Sequence, residues 1–123
     1  MRRLGSGRIV NIASATVCKG SPLLLHYVAS KGAVVALTRA LAREVGIDNI
    51  TVNCIAPGLV MSESVAANMS YGHEFVAANT ASRALKREAA PGDMIGPMIF
   101  LCSDESAFMT GQTVVVDGGS IMH

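Results

Sequence analysis

The chain has 123 residues, of which 50% are hydrophobic, 15% are charged and none is tryptophan. This length is typical of one domain, residues 1–123, with a core of modest size. Ten basic and nine acidic residues give a formal net charge of +1, and no basic run contains interleaved aromatic residues, so we expect no nucleic-acid partner.

The cysteines and histidines exclude further classes of protein. The three cysteines lie far apart and form no Cys-x-x-Cys pair, which favours reduced thiols in a cytoplasmic protein over a disulfide framework. The three histidines are scattered, so we expect no metal site. No apolar run is long enough to span a bilayer, and the start MRRLGSGR lacks the apolar core of a secretory signal, so we expect no membrane partner.

The first half of the chain alternates between strand and helix patterns. The segment GRIVNIAS predicts a buried strand over residues 8–13, because its apolar residues are β-branched and nearly continuous. A loop broken by glycine and proline follows. Apolar residues at three- and four-residue steps predict a helix over residues 26–45, with Gly46 as its stop. The segment NITVNCIAPG predicts a second buried strand over residues 49–58.

The second half continues this alternation after a long interruption. Residues 60–85 are polar and weakly patterned, which is typical of a mobile excursion. A further helix begins near Pro91, and GQTVVVDGG predicts a third strand. Alternating strands and helices favour parallel strands joined by right-handed crossovers. We therefore predict an α/β fold in which helices cover both faces of a parallel sheet of about three strands.

The stretch HYVASK places Tyr27 and Lys31 four residues apart, on one face of the predicted helix. The pKa of a free phenol is about 10, and a nearby ammonium lowers it toward the range in which acid–base catalysis is efficient. Ser14 follows the first predicted strand and Pro57-Gly58 follows the second, at the sheet edge where ligands bind in such folds. Taken alone, Tyr-x-x-x-Lys usually means a half-buried tyrosine beside a solvated lysine.

Several motifs together resemble the short-chain dehydrogenase/reductase family. They are GRIVNIAS, the step of 13 residues from Ser14 to Tyr27, YVASK, NCIAPG and MTGQTVVVDGG, and they occur in the family's order over essentially the whole chain. The resemblance implies a Rossmann-like fold and an oxidoreductase that interconverts a small alcohol and a ketone with NAD or NADP. It implies that Ser14 orients the substrate, that Tyr27 is the acid/base, and that Lys31 also binds the nicotinamide ribose.

The resemblance further implies a cofactor-binding set and a substrate lid. The implied cofactor-binding residues are Tyr27, Lys31, Pro57, Gly58, Val60 and Ser62. The turn from Pro57 to Val60 would lie against the nicotinamide. Ser62 stands where many members have a threonine that contacts the carboxamide, and it keeps the hydroxyl. Residues 62–85 would form the lid and determine which substrate is accepted.

One half of the family's pattern is absent from this sequence. No glycine-rich turn that could bind the cofactor pyrophosphate is present, and the Gly-Ser-Gly at residues 5–7 is expected to be a flexible turn. The family's catalytic asparagine belongs to the same missing half, and Asn11, which lies within the first strand, is not assigned to that role. The chain therefore resembles the C-terminal half of a member, with an exposed apolar strand edge.

This absence leaves two functional hypotheses open. The first is a short-chain dehydrogenase/reductase whose full-length form is a homo-oligomer, as family members commonly are. The second is a truncated, non-catalytic domain that only packs or oligomerises. The substrate and the choice between NAD and NADP are not indicated by these residues.

Overall fold

Three parallel strands form the sheet within residues 1–68 and 71–122, the part of the chain that this computed structural model describes. The strands are β1 (Gly7–Ile12), β2 (Ile50–Pro57) and β3 (Thr113–Val116). Their order is β1-β2-β3, and both neighbouring pairs are parallel. The predicted parallel sheet of about three strands is therefore confirmed.

Helices fill most of the connections between these strands. The α-helices in the described residues are α1 (Thr16–Lys19), α2 (Leu25–Val45), α3 (Glu63–Ala66), α4 (His73–Ala81) and α5 (Ile95–Cys102). The 3₁₀ turns there are Arg2–Leu4, Gly46–Asp48, Pro91–Met94 and Asp104–Ser106.

The predicted stop of the long helix needs a small correction. The helix α2 ends at Val45, as predicted, but Gly46 continues into a 3₁₀ turn. The chain leaves this turn at Asn49, whose φ of 56° lies in the left-handed region. Asparagine tolerates that conformation because its short polar side chain can hydrogen-bond locally.

Two segments contain helices that the apolar pattern did not predict. The first is α1, a single turn in the segment expected to be a loop after β1. The others are α3 and α4, which lie in the predicted excursion of residues 60–85. Residues 69 and 70 of that range lie outside the described residues. Short helices of this kind carry too few periodic positions to be distinguished from loops by sequence alone.

The strand β2 is the centre of the core because its side chains pack on both faces of the sheet. On one face, Val52 packs against Val45 of α2. Complete burial of a valine such as Val52, which is 0% exposed, contributes roughly 1.5–3 kcal/mol. On the other face, α5 lies against β1 and β2, and Arg8 of β1 donates to the Ser103 carbonyl just after α5. Helices therefore cover both faces, as predicted.

The strand β1 forms one edge of the sheet. In the described part of the chain it pairs with β2 alone, so its other side has no strand partner. Ile12, at its end, is 43% exposed. The expected exposed apolar edge is confirmed.

Within the same residues, no helix is both long and apolar enough to cross a membrane.

The fully buried Asn53 joins β2 to the loop before β3. Its Nδ2 donates to the Met109 carbonyl at 2.8 Å, and its Oδ1 accepts from the Gln112 N–H at 3.1 Å. The partners are more than 50 residues away in the sequence, so these two bonds hold the start of β3 in register with β2. A buried asparagine is tolerated only because both of its functional groups are paired.

We expect Asn53→Ala to lower the free energy of unfolding by about 2–3 kcal/mol, because it leaves two backbone groups without their partner. The measurement is urea denaturation followed by circular dichroism. The control is Gln112→Ala, which removes an exposed side chain in the same loop and should change the free energy of unfolding by less than about 0.5 kcal/mol. Equal stabilities of the two variants would contradict the role given to Asn53.

An ion pair fixes the turn that precedes α5. Arg87 donates to both oxygens of the Asp93 carboxylate at 2.7 Å, and the Ala90 N–H donates to the same carboxylate at 2.8 Å. The Arg87 guanidinium, followed by the Ala90 N–H, lowers the pKa of Asp93 from 3.8 to about 2. Because the folded-state pKa is the lower one, the carboxylate stabilises the fold in full above about pH 4 and loses this effect as the pH falls through 2.

We therefore expect Asp93→Asn to lower the thermal midpoint at pH 6 and to have progressively less effect as the pH falls from 4 to 2. The measurement is the thermal midpoint of parent and variant across this range. Glu88→Gln, which neutralises an exposed carboxylate nearby, serves as the control. A difference between parent and Asp93→Asn that stays constant down to pH 2 would show that the ion pair is not responsible.

Candidate active site

The candidate site lies where β1 and β2 end and α2 begins. The backbone ladder continues beyond β1, since the Ala13 N–H donates to the Ile55 carbonyl at 2.8 Å and the Ala15 N–H donates to the Pro57 carbonyl at 2.9 Å. Ser14 lies between these two bonds. The ends of the two strands are thereby brought together at one edge of the sheet, as the sequence predicted.

Lys31 links α2 to the end of β1. Its Nζ donates to the Ile12 carbonyl at 3.0 Å and lies 5.8 Å from the centroid of the Tyr27 ring. The two side chains share a helix face because they are four residues apart. Tyr27 is 38% exposed and Lys31 is half-buried. An ammonium group and a phenol therefore meet beside the first strand end.

Ser14 is held by the first turn of α1. It is buried, and its Oγ accepts from the Thr16 N–H at 3.2 Å and from the Thr16 hydroxyl at 2.9 Å. A serine oxygen that binds the N–H two residues ahead favours a local turn, which explains why a helical turn begins here. Both bonds use Ser14 as the acceptor, so its own hydroxyl hydrogen can still be donated.

Pro57 and Gly58 form the turn at the end of β2. The Gly58 N–H donates to the Val116 carbonyl at 3.0 Å. A Cβ atom at Gly58 would lie 2.8 Å from Cβ of Asp117, so only glycine fits this approach of the turn to the end of β3. Asp117 is itself a buried turn residue whose Oδ1 accepts from the Gly119 and Ser120 N–H groups.

The remaining two predicted residues belong to the start of the excursion. Val60 forms a parallel bridge with Ala89. Ser62 is the N-cap of α3, and its Oγ accepts from the Val65 N–H at 3.3 Å. Its hydroxyl is thus engaged in capping.

A cleft that Ser14 lines does not coincide with this chemistry. It encloses about 1030 Å³ between α2 and the start of β3. Ser14 and Arg39 line it, but Tyr27 and Lys31 do not. We place the candidate site at Tyr27 and Lys31, because a phenol can exchange a proton and an ammonium can stabilise a negative charge. The cleft itself is a groove along α2.

Sequence reasoning missed the polar residues that support the site. Asn11 was correctly placed within β1, but its function there was not predicted: its Nδ2 donates to the Thr38 hydroxyl of α2 at 2.9 Å. Thr38 is fully buried. The sequence could have indicated such a partner, because an asparagine between apolar residues of a strand requires a polar partner where it is buried. This bond helps to fix α2, and with it Tyr27 and Lys31, against the sheet.

The thiols do not contribute to the site. Cys54 is fully buried in β2, and burial raises the pKa of its thiol. A buried thiol of raised pKa is a poor nucleophile. Cys18 and Cys102 are exposed and unpaired. Among residues 1–68 and 71–122, no group of three or more histidine, cysteine, aspartate or glutamate side chains could hold a metal ion. His123 lies outside these residues.

Comparisons with known proteins agree with this architecture. A family model described as enoyl-(acyl carrier protein) reductase matches residues 1–120. A probable galactose dehydrogenase of Rhizobium meliloti is 38% identical over 119 residues, which cover 97% of this chain and 46% of that protein. A short-chain dehydrogenase/reductase of Hericium erinaceus is 39% identical over 115 residues, which cover 94% of this chain and 45% of that protein.

Solved structures share the fold over almost the whole chain. One is described as a "putative NAD(P) dependent gluconate 5-dehydrogenase" of Beutenbergia cavernae with bound NADP at low occupancy. Its TM-score is 0.91 at 45% identity, with 98% of this chain and 48% of that chain covered. The chain thus spans about half the length of the curated relatives it matches. By its family model, its relatives and its Rossmann-like fold, the chain belongs to the short-chain dehydrogenase/reductase family.

Proposed function

We propose that the protein carrying this sequence is an NAD(P)-dependent oxidoreductase that interconverts an alcohol and a ketone, with Tyr27 as the acid/base. The observation that carries the proposal is the contact of Lys31 with both the Ile12 carbonyl and the Tyr27 ring at the carboxyl edge of the sheet. Membership of a family whose relatives are named dehydrogenases and reductases supports the reaction class.

The residues present fit one end of a nicotinamide cofactor. Lys31 uses one N–H on the Ile12 carbonyl, and an ammonium has two further donors that suit ribose hydroxyls. The donor set for the pyrophosphate is different, because it requires a glycine-rich turn at a helix N-terminus. We propose that a second half of the protein supplies that turn, in keeping with the share of its relatives that this chain spans.

In this proposal, each residue of the candidate site has a defined task. A bound nicotinamide supplies or accepts the hydride. Tyr27 donates its hydroxyl proton to the carbonyl oxygen in the reduction and takes it back in the oxidation. Lys31 stabilises the negative charge that this transfer leaves on the Tyr27 oxygen. Ser14 donates its hydroxyl hydrogen to the substrate oxygen and orients it. Pro57, Gly58 and Val60 would lie against the nicotinamide, and Ser62 remains a candidate for the carboxamide contact.

The lid, the compartment and the assembly are parts of the same proposal. Residues 62–85 would cover the substrate, which makes α4 the first element to compare between members of different specificity. The exposed thiols Cys18 and Cys102 suit a cytoplasmic protein. Ile95 and Ile99 on α5 are 58% and 62% exposed, which suits contact with a second copy in a homo-oligomer.

We expect Tyr27→Phe to lower kcat/KM by about 10²–10⁴-fold, because it removes the proton donor and keeps the ring. The measurement is the absorbance of NADH or NADPH in the protein that joins this chain to a glycine-rich half. Gluconate and galactose, named in the relatives, are the first substrates to test. The control is Phe108→Leu, which alters an exposed aromatic side chain outside both the candidate site and the lid. Unchanged turnover of Tyr27→Phe would falsify the assignment.

The 123-residue chain alone is expected to bind NADH and NADPH only weakly, with a dissociation constant of about 1 mM or higher, because the pyrophosphate contacts are missing. Calorimetric titration measures this directly. Micromolar binding would contradict the division of the cofactor site between two halves. Micromolar binding would also contradict the alternative hypothesis of a non-catalytic domain. That hypothesis requires that the joined protein neither bind cofactor nor turn over substrate.

A further inference from the structure

Arg83 is a charged side chain that the structure buries almost completely. It lies shortly after α4 and is 3% exposed. Its Nη1 donates to the Arg87 carbonyl at 2.7 Å, and its Nη2 donates to the Leu59 carbonyl at 2.6 Å and to the Asn79 Oδ1 at 2.9 Å. A buried guanidinium is tolerated only where such bonds compensate for the lost water. Arg83 therefore joins two segments that lie far apart in the sequence: the residues around the end of α4, and the chain at Leu59, 24 residues earlier.

One of these segments is the turn at the end of β2. Leu59 directly follows Gly58, whose N–H is bonded to the Val116 carbonyl. Two residues later, the Met61 N–H donates to the Ala89 carbonyl at 2.8 Å. The Leu59 carbonyl lies between these two anchors, and Arg83 is its partner. The path of the turn is thus fixed at three successive points, of which one is a charge-assisted bond.

The chain around Arg83 is also bonded to the segment after β3. The Ala84 N–H donates to the Gly119 carbonyl at 3.3 Å, and the Leu85 N–H donates to the Gly118 carbonyl at 2.9 Å. The Arg83 side chain passes so close to Gly118 that a Cβ atom there would lie 3.3 Å from its Cδ. Arg83 consequently occupies the junction of the turn after β2, the end of α4 and the segment after β3.

We propose that Arg83 is a positioning residue for the reaction, acting through the Leu59 carbonyl on the turn at Pro57 and Gly58. This inference rests on the proposed function, in which that turn would lie against the nicotinamide. Arg83 is bonded to the turn through Leu59, and none of its three bonds goes to Ser14, Tyr27 or Lys31. Hydride transfer depends on placement, and a displacement of about 1 Å can cost about 10²-fold in rate. Most of the cofactor's affinity would come from the glycine-rich half, so loss of Arg83 should act on kcat more than on the cofactor KM.

The chain offers a matched control in Arg87. Both residues are arginines of the same segment, but the side chain of Arg87 is 59% exposed and its guanidinium binds Asp93 and the Glu88 carbonyl, away from the turn. Arg83→Met removes the buried cation and keeps a side chain of similar length. Arg83→Lys keeps the charge, but a single ammonium does not reproduce the planar fork that serves three acceptors.

The experiment has two independent readouts. In the joined protein, we expect Arg83→Met to lower kcat by about 10–100-fold and to change the KM for the cofactor by less than about 3-fold. We also expect a larger kinetic isotope effect on kcat when the cofactor is deuterated at the transferred position. Arg83→Lys should change kcat and the isotope effect in the same direction, but by smaller factors. In the 123-residue chain, hydrogen exchange should be at least about 10-fold faster at the Met61 and Leu85 amides in Arg83→Met than in Arg87→Met, relative to the Val52 amide.

The two readouts separate this proposal from the one it rests on. Faster exchange at Met61 and Leu85 together with a fall in kcat supports the positioning role. The positioning role is overturned if both Arg83 variants have the same amide exchange rates and the same kcat as Arg87→Met. Turnover that is absent from the unmutated joined protein overturns the proposed function instead. Faster exchange with unchanged kcat and isotope effect limits Arg83 to stabilising the fold and also overturns the positioning role.

Discussion

The parallel pairing of β1 with β2 is the constraint on which the candidate site depends. The ladder runs past the end of β1, so that Ala15 is still bonded to Pro57. Ser14 and the Pro57-Gly58 turn are therefore neighbours by virtue of register alone, since a shift of one residue would turn Ser14 to the opposite face. Lys31 then attaches α2 to the same strand end through the Ile12 carbonyl. One backbone register thus determines where the hydroxyl, the phenol and the ammonium lie.

Polar side chains, and not the apolar core, make this arrangement specific. Apolar layers of alanine and valine between α2 and β2 would tolerate small shifts of the helix along the sheet. The bond from Asn11 to Thr38 and the pair of bonds made by Asn53 do not, because a shift would leave buried polar groups without partners. Arg83 does the same for the turn after β2. Each of these residues joins elements that lie far apart in the sequence, so their removal should loosen relative positions before it unfolds any single element.

The sequence allowed the sheet and the long helix to be predicted because their apolar residues follow the period of the backbone. The pairing of Tyr27 with Lys31 also followed from helix geometry, as did the meeting of both strand ends at one edge. By contrast, α1 depends on Ser14 accepting bonds from Thr16, and α4 has one buried residue, Val76, so neither has a periodic pattern to detect. The burial of Arg83 could not be predicted either, since arginine is rarely buried and one of its acceptors, the Leu59 carbonyl, lies 24 residues away in the sequence. What the sequence does not encode locally is which polar groups meet across the fold.

The exposure of the site and the exposed edge of β1 have a common physical meaning. Ile12 and Tyr27 are 43% and 38% exposed, and Lys31 is bonded to that same strand end. At any given separation, two unit charges attract about four times more strongly at the effective dielectric of a protein site, about 20, than in bulk water, about 80. The stabilisation that Lys31 gives to a charge on Tyr27 is thus small while water surrounds both. A strand added beside β1, as in the proposed glycine-rich half, would cover this edge and exclude part of that water. Under the proposed function, one added strand would then both complete the sheet and strengthen the interaction between Lys31 and a charge on Tyr27.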